Sequence, residues 1–162
     1  MNQILVCYLY SRNSQANVLK IILTHDSNNF LLISVSFIAE PGRTLVANAY
    51  VLIVSAFAKA KRENGTWLFV DAGVYNAVLE ALASQGSTEY RIRPLKKYER
   101  GSKESFILTG PTGDNLDVFN KNAMLPSDIQ MGDRLAIFDT GAYSFTLMTR
   151  FNGFPKPKVI SI

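Results

Sequence analysis

The chain has 162 residues, of which 48% are hydrophobic and 19% charged, with a formal net charge of +4. This composition excludes a disordered or collagen-like chain, and the length predicts one globular domain, or at most two small ones. A single cysteine and a single histidine exclude an intramolecular disulfide and a zinc site closed by four Cys/His ligands.

Basic residues gather in the second half of the chain, and a nucleic-acid groove is one interpretation of them. The residues are Arg91, Arg93, Lys96, Lys97, Arg100, Lys103, Lys156 and Lys158. Glu99 and Glu104 interrupt the run, and no series of aromatic residues alternates with it. We therefore expect a solvated strand and loop, and no nucleic-acid partner.

Hydropathy gives no membrane signal. The longest apolar stretch, Leu45–Ala58, is shorter than the ~20 residues of a spanning helix. The apolar run Ile4–Tyr10 has no basic residue before it and no clean small-residue cleavage pattern after it, which argues against a signal peptide. We expect a cytoplasmic protein without a membrane partner.

The first half of the chain predicts one buried strand followed by one buried helix. Residues 1–30 contain two short apolar runs whose type periodicity cannot decide. Phe30–Ile38 is rich in β-branched and aromatic residues and predicts a strand, which Glu40-Pro41-Gly42-Arg43 ends. Leu45–Ala56 is apolar nearly all round, as a buried helix would be.

A hairpin and a second helix are predicted next. Asn64-Gly65 between apolar runs indicates that Phe57–Arg62 and Thr66–Val70 pair as antiparallel strands. Apolar residues then recur at helical spacing, and Gly86 stands where a helix would end. The apolar positions are Val74, Ala77, Val78, Ala81 and Leu82.

After Gly86 the pattern predicts strands separated by turns. The candidates are Glu89–Pro94, Ser105–Thr109, Arg134–Phe138, Tyr143–Thr149 and Lys158–Ile162. Short strands in succession are typical of a sandwich or a barrel. The predicted fold class is therefore mainly β with some α.

Two reactive residue types give no catalytic hypothesis. His25 lies in a polar segment, and no serine has a Gly-x-Ser-x-Gly surrounding that would make it a nucleophile. Cys7 lies inside an apolar run, which favours an inert buried thiol.

Four short motifs carry the remaining chemistry. In Glu40-Pro41-Gly42-Arg43, glycine permits close backbone approach to a phosphate, and arginine offers a bidentate fork for it. Gly110–Asp117 is a tight loop with two carboxylates. Gly141-Ala142-Tyr143 and Phe151-Asn152-Gly153-Phe154 follow. Each motif alone could be an ordinary turn.

Together and in this order, and with Asp71-x-Gly-Val-Tyr75 between the first two, the motifs resemble a known family. They are similar to the C-terminal part of the fold-type III, pyridoxal-phosphate-dependent decarboxylases of basic amino acids. The resemblance is greatest to ornithine decarboxylases and weaker to diaminopimelate and arginine decarboxylases. It covers roughly residues 33–162.

The resemblance implies a role for each site residue. Glu40 would face the pyridine nitrogen of pyridoxal phosphate and keep it protonated. Gly42, Arg43 and Tyr143 would hold the cofactor phosphate. Asp114 would meet the distal ammonium of a small basic amino acid, acting across a dimer interface, and Phe151 would line the substrate pocket.

The family fold implies a domain division. Its members have an N-terminal (β/α)8 barrel and a C-terminal β-barrel or sandwich domain. We therefore expect an unassigned segment at 1–30, a remnant strand and helix of the cofactor-binding barrel at 31–56, and the C-terminal β domain at 57–162.

Two departures from the family pattern leave two hypotheses. The barrel half with its Schiff-base lysine has no counterpart in this chain, and Gly113 stands where the family's catalytic cysteine is usual. In the first hypothesis the chain is the C-terminal portion of an ornithine-type decarboxylase of polyamine biosynthesis, inactive alone, that forms a homodimer or joins a separate barrel half. In the second it is a non-catalytic interaction module that pairs with a full-length decarboxylase.

Overall fold

The computed structural model describes residues 5–8, 20–23, 42–83, 90–98 and 102–161. The chain divides into two compact units, Met1–Val46 and Ala47–Ile162. In the first unit, β1 (Leu5–Tyr8) pairs antiparallel with β2 (Lys20–Leu23), and a short helix α1 spans Arg43–Val46. The predicted strand Phe30–Ile38 and the predicted site residue Glu40 lie outside the described residues.

The second unit is built on one six-stranded sheet with the order β5-β8-β3-β4-β6-β7. Its only α-helix among the described residues is α2 (Glu80–Ala83). The strands are β3 (Leu52–Arg62), β4 (Gly65–Val70), β5 (Ile92–Pro94), β6 (Lys103–Thr109), β7 (Val118–Pro126) and β8 (Arg134–Ile137).

The sheet is mixed and nearly closed, since its edge strands β5 and β7 also approach each other. Strand β4 runs parallel to β6, whereas the other neighbours in the sheet are antiparallel. Closure of this kind leaves little exposed sheet edge. The predicted fold class, mainly β with some α, is confirmed.

The predicted hairpin is present. Strands β3 and β4 are antiparallel, with Arg62 paired to Gly65 and with Glu63 and Asn64 in the turn. Gly65 has a φ of +130°, which only glycine adopts readily. The indole of Trp67 donates a 2.8 Å hydrogen bond to the side chain of Asn64 and fixes the turn against β4.

The prediction of a helix over Leu45–Ala56 is wrong beyond its first residues. Helix α1 ends at Val46, a 3-10 turn spans Ala47–Ala49, and β3 begins at Leu52. Along β3, Leu52, Val54 and Ala56 are buried while Ile53 and Phe57 are exposed. The outward-facing residues of this strand are apolar as well. The sequence therefore lacks the polar–apolar alternation of a half-buried strand and has the pattern expected of a helix buried on all sides.

Within the described residues, the second predicted helix is present only over Glu80–Ala83. Its apolar face is correct, because Val74, Ala77, Val78 and Ala81 are all buried. The first predicted turn of this helix is not helical, and residues 74–77 form turns instead. The Asn76 side chain accepts a 2.8 Å bond from the Gly73 amide, and the helix is replaced there by turns.

Among the C-terminal predictions, the strands at β5, β6 and β8 are confirmed, with β5 shorter than expected. The strand predicted over Tyr143–Thr149 is wrong, because Tyr143 has a φ of +53° and Phe145–Leu147 form a 3-10 helix. Lys158–Ser161 is not assigned to a strand either. Strand β7 was not predicted, since Asn120, Lys121 and Asn122 interrupt its apolar alternation.

The core lies on the inner face of this sheet. Its largest fully buried side chains are Phe106, Phe119, Leu68, Leu108, Leu125, Ile129, Leu135 and Ile137. They come from β4, β6, β7 and β8 and from the turn after β7. This core holds rigid the strand ends from which the candidate site projects.

Candidate functional site at the ends of two parallel strands

Two of the sequence motifs begin where β4 and β6 end. Asp71–Tyr75 follows Val70, the last residue of β4, and Gly110–Asp117 follows Thr109, the last residue of β6. These strands are parallel neighbours, with Phe69 opposite Thr109. The carboxyl ends of parallel neighbours meet at the same edge, which brings the two motifs together.

The buried carboxylate of Asp117 joins the two motifs. Its Oδ1 accepts a 2.7 Å hydrogen bond from the amide of Val74. Its Oδ2 accepts a 3.0 Å bond from the amide and a 2.7 Å bond from the hydroxyl of Thr112. Asp117 is fully buried, so these three donors replace its hydration. The carboxylate therefore fixes the loop that carries Asp114.

Asp114, predicted from the family resemblance to meet a substrate ammonium, lies at the partly exposed tip of this loop. Its Oδ1 accepts a 2.9 Å bond from the phenol of Tyr75 and a 2.8 Å bond from the amide of Leu116. Neither bond involves Oδ2, and the structure shows no donor to that oxygen among the described residues. One carboxylate oxygen is therefore held in place while the other is open to a cationic group.

Phe151, which the family resemblance predicts to line the substrate pocket, lies in the same cluster as Asp114 and Tyr75. Its ring stacks on that of Tyr75 with centroids 4.2 Å apart and an interplanar angle of 24°. The neighbouring Asn152 amide donates a 3.1 Å bond to the carbonyl of Thr112, and the Thr149 hydroxyl donates a 2.9 Å bond to the carbonyl of Tyr75. Three segments distant in sequence thus form one site.

The surroundings of Tyr75 raise the pKa of its phenol above 10.0. Desolvation contributes most, followed by the hydrogen bond to Asp114 and by the negative charges of Asp114 and Asp117. A phenol that stays protonated keeps its donor role towards Asp114 over the whole physiological pH range.

Gly113, which the resemblance predicts to stand at the position of the family's cysteine, is exposed beside Asp114 with a φ of +74°. A Cβ atom built on it would meet no atom within 4 Å. The position has room for a side chain, but its backbone conformation favours glycine. Gly113 itself brings no proton donor to this loop.

The predicted phosphate contacts lie in both units. In the first, Gly42 is exposed and precedes Arg43, the first residue of α1. In the second, Tyr143 follows β8 on a separate loop and is 56% exposed. Within each unit taken by itself, the chemistry of these residues fits the phosphate end of pyridoxal phosphate, because a guanidinium beside a glycine amide suits a phosphate and a phenol can donate a hydrogen bond to one.

The described residues contain no cluster of three or more His, Cys, Asp or Glu side chains that could hold a metal ion. Within the same ranges, no helix has the length and apolar character to cross a membrane.

Comparison with known proteins assigns the family. The model of the pyridoxal-dependent decarboxylases, C-terminal sheet domain, matches residues 7–141. The chain belongs to this family. The match begins well before residue 33 and includes most of the segment that sequence reasoning left unassigned.

Relatives of this sheet domain include decarboxylases with different substrates. The chain is 34% identical over 117 residues to the diaminopimelate decarboxylase of Archaeoglobus fulgidus, covering 72% of this chain and 27% of the relative. It is 31% identical to the cadaverine-bound structure of a lysine/ornithine decarboxylase from Vibrio vulnificus, with a TM-score of 0.66 and coverage of 79% and 34%.

A third relative is the agmatine-bound arginine decarboxylase of Paramecium bursaria Chlorella virus. Its identity to this chain is 28% and the TM-score 0.65, with coverage of 75% and 33%. The chain thus spans about a third or less of the length of these three proteins. The resemblance to the family is confirmed, and the similarity extends beyond ornithine decarboxylases.

The family motifs predict roles for Asp114 and Phe151, but they assign none to Tyr75 and Asp117, which position Asp114. The sequence does contain a signal for these two residues. Each of their motifs has a glycine that allows close backbone approach, and a polar residue that bonds to the other motif.

Proposed function

We propose that this chain is the C-terminal portion of a pyridoxal-phosphate-dependent decarboxylase of a basic amino acid. It contributes substrate and cofactor-phosphate contacts at a dimer interface in the cytoplasm and is inactive alone. Ornithine is the proposed substrate, and polyamine biosynthesis the proposed setting. The observation that carries the proposal is the convergence of Asp114, Tyr75 and Phe151 at one sheet edge.

The substrate contact follows from charge. Asp114 offers an open carboxylate oxygen beside the Tyr75–Phe151 stack. A carboxylate next to apolar rings favours a cation on an aliphatic stem, as in the side chain of a basic amino acid. Asp114 would bind the distal ammonium, and Phe151 would contact the stem.

The cofactor contact is proposed from the family resemblance, residue by residue. Arg43, the amide at Gly42 and the phenol of Tyr143 would hold the phosphate, and Glu40 would keep the ring nitrogen protonated. The protonated ring, when bound, supplies the electron sink that decarboxylation requires. The residues of this chain bind and orient, and the lysine that carries the cofactor comes from a barrel domain outside the 162 residues.

An interface complementation assay tests the proposal. The chain is co-expressed with the Vibrio vulnificus lysine/ornithine decarboxylase in which the aspartate corresponding to Asp114 is replaced by asparagine, and CO2 release from ornithine is measured with pyridoxal phosphate. We expect no release from either protein alone and partial activity from the mixed pair. A chain carrying Asp114→Asn is the matched control and should restore nothing. Release of CO2 by the isolated chain would contradict the proposal.

A second candidate function is a non-catalytic module that pairs with a full-length decarboxylase. Gly113 favours it, because the loop lacks a side chain that could protonate the product carbon. The same experiment separates the two functions. Co-purification of the pair without restored activity supports the module, whereas restored activity that depends on Asp114 supports the enzyme portion.

A further inference from the structure

Asp114 presents its two oxygens very differently. Oδ1 accepts two hydrogen bonds at once, from the Tyr75 phenol at 2.9 Å and from the Leu116 amide at 2.8 Å. Oδ2 accepts none from the described residues. The Tyr75 ring is itself held by its stacking on Phe151, and the backbone of Tyr75 accepts a bond from the Thr149 hydroxyl. The phenol is therefore a fixed hydrogen-bond donor to Oδ1 of Asp114, and this bond is called the Tyr75 clamp below.

We propose that Tyr75 is a specificity-determining residue that makes the Asp114 subsite selective for a primary ammonium over a guanidinium. This inference rests on the proposed function, since it assumes that Asp114 meets the distal group of the substrate. It separates the substrates by their distal cation. Arginine carries a guanidinium, whereas ornithine, lysine and diaminopimelate carry an ammonium.

The physical basis is the geometry of the two cations. A guanidinium gains most from a carboxylate when two parallel N–H groups bond to both oxygens. With Oδ1 already occupied by two donors, that fork cannot form without displacing the phenol. An ammonium is a compact charge that bonds well to one oxygen. The clamp therefore weakens guanidinium binding and leaves ammonium binding intact.

Two features of the loop keep Asp114 from turning to offer both oxygens. The bond from the Leu116 amide closes a local turn on Oδ1. The loop backbone is fixed by Asp117, whose carboxylate is fully buried and bonded to Val74 and Thr112. Rotation of the Asp114 carboxylate would break both of its bonds at once.

The test uses the 162-residue chain with cadaverine and agmatine as probes. Each is titrated against isotope-labelled protein, and NMR follows the Asp114 carboxyl carbon and the Leu116 amide. We expect the wild-type chain to bind cadaverine about threefold to tenfold more tightly than agmatine. In Tyr75→Phe, which keeps the ring stack, agmatine should gain affinity and the ratio should approach one.

Tyr98→Phe is the matched control, because it removes a phenol that bonds to a different carboxylate, that of Asp133. It should leave the ratio as in wild type. If cadaverine binds but Tyr75→Phe leaves the ratio unchanged, the clamp is wrong while the proposed subsite stands. If neither probe shifts the Asp114 signal, or if Asp114→Asn binds cadaverine as well as wild type does, the proposed subsite is wrong and the inference falls with it.

Discussion

Gly73 and Gly110 lie back to back at the sheet edge, so that a Cβ atom on Gly73 would stand 2.5 Å from the Cα of Gly110 and 2.3 Å from Oδ1 of Asp117. The contact on Gly110 is backbone, which cannot swing aside as a flexible side chain would. This close approach is what lets the Asp117 carboxylate reach the amide of Val74. Both positions therefore require glycine because no side chain fits there, and not because of a left-handed backbone, since neither glycine has a positive φ.

Gly73→Ala should destabilise the fold because the added methyl has no room. We expect a loss of about 1–3 kcal/mol in the free energy of unfolding, measured by urea denaturation. Gly113→Ala is the control within the same cluster, since its Cβ meets nothing within 4 Å and only the left-handed backbone opposes it. A Gly73→Ala chain as stable as Gly113→Ala would contradict the packing argument.

Asp117→Ala should disorder the Asp114 loop. Removal of the carboxylate leaves the Val74 amide and both Thr112 donors without their acceptor, at a cost of about 1–3 kcal/mol for each buried group left unpaired. Hydrogen exchange at the Val74 and Thr112 amides should accelerate more than exchange in β8. Asp117→Asn keeps one acceptor oxygen, so its exchange rates at these amides should lie between those of wild type and of Asp117→Ala. Equal exchange rates in all three proteins would show that the carboxylate does not hold the loop.

The pair of Tyr98 and Asp133 should make stability depend on pH at both extremes. The phenol donates a hydrogen bond to Asp133, whose carboxylate also accepts a 2.8 Å bond from the Gln130 amide. Burial, and then the bond and charge of Asp133, raise the pKa of Tyr98. Burial works against ionisation of Asp133, but the bonds from Tyr98 and Gln130 and the nearby Lys96 outweigh it and lower its pKa.

The signs of these shifts set the pH window. The lowered pKa of Asp133 gives a contribution present above pH 3.8 and lost as the pH falls below it. The raised pKa of Tyr98 gives one present below pH 10.0 and lost as the pH rises towards the folded value. Tyr98→Phe should cost about 1–2 kcal/mol near neutral pH and progressively less at either extreme, as thermal unfolding across the pH range would show. A difference constant from pH 3 to 11 would be the contrary result.

The pKa of Tyr75 offers a check on the candidate site that needs no ligand. Its phenol should titrate above 10.0, because desolvation and the Asp114 carboxylate both disfavour the phenolate. Asp114→Asn removes a charge and should lower the pKa, followed by NMR of the ring carbon. Glu63→Gln removes a carboxylate in the distant β3–β4 turn and should leave Tyr75 unchanged. If both variants titrate like wild type, the Tyr75–Asp114 bond is absent in solution.

The parts of the fold that the sequence predicted are those with a local cause. The β3–β4 hairpin follows from a turn signal within a few residues, and the buried face of residues 74–81 follows from helical spacing. The failed elements have causes elsewhere in the chain. The amide of Val74 donates to Asp117, which lies 43 positions away, and the chain at residues 74–77 follows turns rather than a helix. No local pattern contains that partner.

The same distinction between local and distant causes applies to the candidate site. Asp114 and Phe151 could be named because the family motifs contain them, and the structure brings both to Tyr75. The role of Tyr75 depends on the parallel pairing of β4 with β6, which periodicity cannot reveal. Arg43 and Tyr143 were named from the same resemblance, and their joint role stays a prediction.

The parallel pairing of β4 and β6 also has a consequence for folding kinetics. Thr66 of β4 is paired with Phe106 of β6, forty positions later, so the long crossover must close before either loop at the strand ends has a partner. Closing such a loop costs entropy that contacts repay only afterwards, which slows folding. The β3–β4 hairpin can form early, whereas the bond between Tyr75 and Asp114 belongs to a late step. The contact between the two motifs that form the candidate site therefore has to wait for the parallel pairing of β4 with β6.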